Sequence, residues 1–281
     1  MKMLIKRLSV PIAIVLMAAC GSESGSSGGT VVYSGTGQVG SLAALVEFQG
    51  DLHAINMSQS VSILRSEEFL STDYVNSHSW GAETLHVYEN SHVMVGHATG
   101  VDIYRSTGDL DYPVEFVARL SHLVAYDPVV AHDGVAYYTT RDGSNEITFR
   151  DGIFVENISD ILAYVPPSQE EIDEGASSER PNSTSMAEYR ELADPIGLTL
   201  REGTLYVCDA AEGLVSLALE INPDDAAEFS HILVKQELND VFACNDVIAT
   251  EQGLMLVGEN GVYQLDVSDS GLSVVSHIPT T

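Results

Sequence analysis

From about residue 40 onward, short runs rich in Val, Ile, Leu and Tyr alternate with turns of Gly, Asn and Asp. The 3.6-residue spacing of an amphipathic helix does not recur, so the pattern predicts many short antiparallel strands. One unit returns along the chain. Asp127-Pro-Val-Val-Ala-His-Asp-Gly-Val-Ala-Tyr-Tyr138 matches Asp194-Pro-Ile-Gly-Leu-Thr-Leu-Arg-Glu-Gly-Thr-Leu-Tyr206, and both match Asn245-Asp-Val-Ile-Ala-Thr-Glu-Gln-Gly-Leu-Met-Leu-Val257. Each reads as an acidic entry, an apolar strand, a tight turn and a second apolar strand. Fainter copies begin at Leu42 and Glu83.

Aligning the turn positions Gly50, Ser91, Gly134, Gly203 and Gly253 gives spacings of 41, 43, 69 and 50 residues. Periods in the forties are those of four-stranded propeller blades. A third strand follows a Gly turn at Gly100–Tyr104, Gly213–Leu217 and Gly261–Val267, and a fourth is expected at Val114–Val117, Phe229–Val234 and Leu272–Ile278. The expected fold is therefore all-β, a β-propeller over residues 31–281 with five four-stranded blades. The 69-residue interval leaves room for a sixth. An insertion accounts for it better, because Pro166–Glu191 is polar, acidic and without a strand pattern, as surface excursions are.

The N-terminus reads differently. A basic start to Arg7 leads into twelve mostly apolar residues, Leu8–Ala19, too few for a spanning helix, which needs roughly 20. Residues 1–19 form a signal peptide, and residues 20–30 are Cys20 followed by a Gly/Ser tether with a reach of about 15–20 Å. The ending Leu16-Met17-Ala18-Ala19-Cys20-Gly21 resembles the lipobox of bacterial lipoproteins, with Met17 where Leu is usual. The resemblance implies acylation at Cys20 and a firm membrane anchor, since several acyl chains hold where one does not. Gly21, rather than Asp, favours the outer membrane.

Charge narrows the partners. The chain carries 12 Lys and Arg against 41 Asp and Glu, a net charge of −29. Without Lys2, Lys6 and Arg7, nine bases face 41 acids, a body charge of −32. Binding to nucleic acid needs clustered bases, which excludes it, and the same surplus opposes adsorption to anionic lipid. The apolar share of 44% excludes a disordered acidic chain.

Two groups of residues are candidates for chemistry. Glu83, Asp127, Asp194 and Asp246 stand 8, 7, 9 and 7 residues before their unit's turn, at the entry to the innermost strands. Converging at a channel mouth, they would bind a hard cation such as Ca²⁺. As turn residues, they would instead cap their own backbone. Cys208 and Cys244 fall at the end of one unit's second strand and before the next unit's first strand, on one face. They are read either as a disulfide, which the envelope permits, or as two buried thiols. HExxH and phosphate-loop patterns are missing from the sequence. Trp80 is read either with Tyr74 and His78 as an aromatic binding patch, or alone as a plug of the channel or of a gap between blades.

The segments Asp127-Pro-Val-Val, Gly197–Asp209, Glu212-Gly-Leu-Val and Asp246–Ser268 resemble the LVIVD-repeat β-propeller lipoproteins of bacterial envelopes. The resemblance runs from about Gly40 to Ile278. It implies the propeller and the envelope location, and it brings no catalytic residues. The expected function is a non-catalytic binding module meeting an envelope protein or a glycan. The alternative is an extracytoplasmic hydrolase or lyase using the entry acids, with or without Ca²⁺.

Overall fold

The computed structural model describes residues 45–279, except 50, 56–58, 66–70, 73–80, 90, 98, 110–111, 122–128, 141–151, 223–230, 237, 239–241 and 269–270. Asp127, Trp80 and the signal, lipobox and tether residues thus lie outside the described residues.

Twenty strands form five four-stranded antiparallel sheets, each built from strands consecutive in sequence. Blade 1 holds β1 (Leu45–Phe48), β2 (Asp51–Ile55), β3 (Val61–Arg65) and β4 (Ser71–Thr72). Blade 2 holds β5 (Ala82–Tyr88), β6 (His92–His97), β7 (Gly100–Ser106) and β8 (Val114–Ser121). Blade 3 holds β9 (Val129–His132), β10 (Val135–Thr140) and β11 (Gly152–Asn157). Two short helices, α1 (Ser159–Ala163) and α2 (Gln169–Asp173), then precede its outer strand β12 (Thr184–Tyr189). Blade 4 holds β13 (Pro195–Arg201), β14 (Thr204–Asp209), β15 (Gly213–Ile221) and β16 (His231–Gln236). Blade 5 holds β17 (Asp246–Thr250), β18 (Gly253–Gly258), β19 (Gly261–Ser268) and β20 (Gly271–Pro279). First strands of successive blades pack on one another, β1 on β5, β5 on β9, β9 on β13 and β13 on β17. The architecture is a five-bladed β-propeller with first strands innermost.

The sequence explains this arrangement locally. The turns Asp133-Gly134 and Glu202-Gly203 carry positive φ at both residues (48° and 75°, 50° and 79°), the two-residue hairpin geometry that matches strand twist. Middle strands read as continuous apolar runs because both of their faces are covered. All six residues of β6 are buried, as are the last five of β10 and of β14. Their opposite faces feed different cores. Met94 of β6 joins a cluster between blades 2 and 3, whereas Val93 and Val95 join one between blades 1 and 2. Two further clusters fill the spaces between blades 3 and 4 and between blades 4 and 5.

Among the described residues the 69-residue interval holds no sixth blade, and the boundaries expected for its insertion change. The region 166–191 was expected to lack strands, yet Thr184–Tyr189 pairs with β11 as the outer strand of blade 3. Only Ala187 and Tyr189 of that strand are buried, so its sequence shows almost no apolar alternation. The excursion also starts earlier. Ile158 and Ile161 are fully buried in the cluster between blades 2 and 3, which seats α1 on the propeller.

Buried charge lies inside blade 2. Asp102 of β7 is 1% exposed and accepts two hydrogen bonds from Arg119 of β8, Nε to Oδ1 at 2.5 Å and a terminal nitrogen to Oδ2 at 2.9 Å. His97 Nε2 stands 3.6 Å from Oδ1. Burial alone would raise the Asp102 pKa, but Arg119 and His97 outweigh it and hold the carboxyl at about 2, against an ordinary 3.8. A depressed carboxyl contributes stability above its unfolded pKa and loses it as pH falls toward the folded value. Denaturant melts between pH 5 and pH 2 should therefore show wild-type stability falling by about 2 kcal/mol more than that of Asp102→Asn. Parallel curves for the two proteins would remove this role.

Candidate functional site

The three entry acids that the structure describes do not share a position. Pairing register aligns Thr84 with Gly96, Gly197 with Cys208 and Asp246 with Val257, in each case one residue before the end of the blade's second strand or its counterpart. Asp246 therefore stands where blades 2 and 4 have Thr84 and Gly197. Glu83 is the extra residue of a register shift between Ala82 and Thr84, and Asp194 precedes the first residue of β13. Unequal distances to the turn, 8, 9 and 7 residues, are absorbed by these shifts rather than by a ring.

Asp246 caps its own strand with its side chain, whereas the bonds described for Asp194 are main-chain ones. Asp246 is fully buried, and its Oδ1 accepts the amide of Val247 at 2.8 Å. It fits because Gly197 of the neighbouring inner strand has no side chain: a Cβ there would lie 2.9 Å from both Asp246 Cα and Oδ1. Asp194 donates its amide to Asp209 at 2.8 Å, and its carbonyl accepts the amide of Ala210 at 2.9 Å.

Asp209 is the residue that sequence reasoning missed. It ends β14, is 0% exposed, and its carboxylate accepts four backbone amides. Oδ2 takes those of Ala193 and Asp194, both at 2.8 Å, while Oδ1 takes those of Ala211 and Glu212, both at 2.9 Å. One side chain thus fixes both the approach to the innermost strand and the next turn. Charge-assisted bonds of this kind are roughly twice as strong as neutral ones. His97 holds the matching position in blade 2, opposite Gly100 as Asp209 is opposite Gly213, and its Nδ1 accepts the amide of Thr99 at 3.4 Å.

Beside Asp209, Cys208 and Cys244 form a disulfide, with Cα atoms 5.6 Å apart and a sequence separation of 36. It joins the end of β14 in blade 4 to the segment entering β17 in blade 5. Both cysteines are buried in the cluster between those blades.

A concavity open to solvent lies elsewhere, on the blade 3 excursion. A groove of about 490 Å³ is lined by Asp160, Ala163 and Tyr164 at α1 and by Ser177 to Asn182, among them Glu179 and Arg180. Its walls are anchored. The Ile158 amide donates to the carbonyl of Gly134 at 2.8 Å, and the Arg180 guanidinium stacks 5.0 Å over the Phe116 ring of blade 2. Ser168 and Glu171 close a capping box at the start of α2 between the two walls.

Searches with the sequence found no matching family model and no matching curated protein. Solved structures do match in shape. A computationally designed protein, Ika8, superposes with a TM-score of 0.50 at 10% identity over 84% of this chain and 61% of its own. PorZ, an essential bacterial surface component of the type-IX secretion system of Porphyromonas gingivalis, superposes with a TM-score of 0.50 at 9% identity, over 84% of this chain and 33% of its own. The chain thus spans less than two thirds of either protein. At these identities the likeness is one of fold, and it agrees with the sheet order: the chain is a five-bladed β-propeller.

Proposed function

We propose that this chain is a lipid-anchored envelope propeller of the LVIVD type, acting as a non-catalytic binding module through the blade 3 groove. The observation that carries the reading is the groove itself, about 490 Å³ of open concavity whose lining is polar and apolar in about equal measure. Tyr164 supplies a ring face. Asp160, Glu179, Arg180 and Asn182 supply planar hydrogen-bonding groups. That mixture suits a glycan or a polar loop of an envelope protein better than an apolar ligand. Of the entry carboxylates that the alternative reading would use for catalysis, Asp246 is fully buried and gives Oδ1 to the Val247 amide. PorZ, described as a surface component, shares the fold. Its assembly role stays its own.

Anchor and groove are tested separately. Cys20→Ser should shift the protein from the membrane fraction to the soluble fraction of fractionated cells, since stable attachment takes more than one lipid signal. Unchanged membrane recovery would reject the anchor. For the groove, Tyr164→Ala combined with Asn182→Ala should abolish retention on immobilised envelope glycans or cross-linking to an envelope protein. The variant should still fold, with a melting temperature lowered by a few degrees, because the Tyr164 ring packs in part against the cluster between blades 2 and 3 while Asn182 is exposed. Wild-type retention by the double variant would reject the groove as the contact surface.

A further inference from the structure

The turns at the other end of the innermost strands carry acids as well. Glu89, Asp133, Glu202 and Glu251 occupy the turns between first and second strands of blades 2 to 5, and all four are exposed. Acids on exposed turns need no ligand to explain them. One pair differs, because an imidazole stands between its members. Ligand atoms of Glu89, His132 and Asp133 all lie within 4.8 Å of one another, and His132 Nε2 is 3.4 Å from an Asp133 carboxylate oxygen.

Two inter-blade bonds outside the cluster bring these residues together. The Gly134 amide donates to the Tyr88 hydroxyl at 2.9 Å, tying the turn of blade 3 to that of blade 2. The Ala131 amide donates to His86 Nε2 at 3.0 Å, one strand residue before His132. Burial lowers the His86 pKa, which favours the neutral ring that accepts this bond. Both bonds are side chain to backbone across neighbouring blades, so the spacing of the three ligand groups is built by the propeller. Within the blade 2 turn, the amide and hydroxyl of Ser91 both donate to the Tyr88 carbonyl, at 2.9 and 3.1 Å.

We propose that Glu89, His132 and Asp133 form a binding site for a zinc-class divalent cation, which joins the turns of blades 2 and 3. One imidazole nitrogen and two carboxylate oxygens are a donor set that zinc accepts in three-ligand sites, with water in the remaining position. The imidazole selects against Mg²⁺ and Ca²⁺, which take oxygen-only shells. Placed at the solvent face, the water position is open to a carboxylate or imidazole of a partner. The site is distinct from the blade 3 groove and stands whether or not the groove binds a glycan.

The test is calorimetric titration of the full chain in detergent with zinc chloride, then with calcium chloride. Wild type should take up one equivalent of zinc. At a zinc concentration about a hundred times the Kd, the melting temperature should rise by roughly 5–10 °C. His132→Ala and Glu89→Gln should lose both effects, while Glu202→Gln, at the turn of blade 4 that lacks the imidazole, should keep them. Melting curves without metal confirm that the variants fold, since all three positions are exposed. Zinc uptake that survives in His132→Ala overturns the proposal, as does wild type that takes up no zinc or binds calcium equally well.

Discussion

Replacing Cys208 and Cys244 by Ser should lower the unfolding free energy by about 4 kcal/mol. The bridge closes a 36-residue loop, and in the chain-entropy model its loss frees the unfolded ensemble by that amount. Both side chains are buried, at 0% and 5% exposure, so two hydroxyls would also have to find partners in an apolar cluster. The measurement is a denaturant midpoint for the double variant against oxidised wild type, at unchanged slope. Location adds a second readout. The disulfide holds the segment entering β17, so amide exchange in β17–β20 should accelerate more than exchange in β5–β8. Equal midpoints, or uniform acceleration across the blades, would show that the bridge does not govern the packing of blade 5. A reducing agent added to folded protein should act slowly, because the sulfurs are reached only after local opening.

Asp209→Ala should cost about 3–4 kcal/mol, comparable to losing the disulfide although no covalent bond is broken. Four backbone amides lose their acceptor at once. Those of Ala211 and Glu212 belong to an exposed turn and recover part of the loss from water. The amides of Ala193 and Asp194 lie on the approach to β13, where the Asp194 residue is half-buried. An unsatisfied buried donor costs roughly 1–3 kcal/mol. Asp209→Asn keeps one acceptor oxygen and should lose about half as much, since its other atom donates. Urea unfolding of the two variants checks both the size and the order. A loss below about 1 kcal/mol in Asp209→Ala would mean that the turn rearranges around water.

Much of the fold was legible because it repeats. Strands with one apolar face to each neighbouring blade announce themselves as runs, and β14 and β18 could be read from Leu205–Cys208 and Leu254–Val257 alone. β12 could not. With Thr184, Ser185 and Glu188 turned toward solvent or half-buried, its sequence is that of a polar loop, and only its pairing with β11 makes it a strand. The helix α2 did leave a sign, the spacing Ser168-x-x-Glu171 that closes its capping box.

The site was legible to different degrees. Blade topology allowed the cysteine bridge, since second-strand ends and first-strand entries share a face, but it left two buried thiols equally open. Asp209 stood inside a quoted repeat segment, yet its partners are main-chain amides that no side-chain pattern reports. Glu89 and His132 lie 43 residues apart in sequence, one repeat length, and neither resembles a ligand without the other. The described entry acids fall at different register positions for a physical reason. Counting residues back from a turn assumes a regular ladder, and the register shifts at Glu83 and Ile196 break it.

Among the described residues, every sheet is made of four strands consecutive in sequence, with none borrowed from another part of the chain. A blade is therefore one uninterrupted stretch of coding sequence. Duplicating or deleting such a stretch would leave every other sheet whole and alter only the two side-chain interfaces flanking the change. The cross-link between blades 4 and 5 is the exception, because it makes that pair a two-blade unit of inheritance.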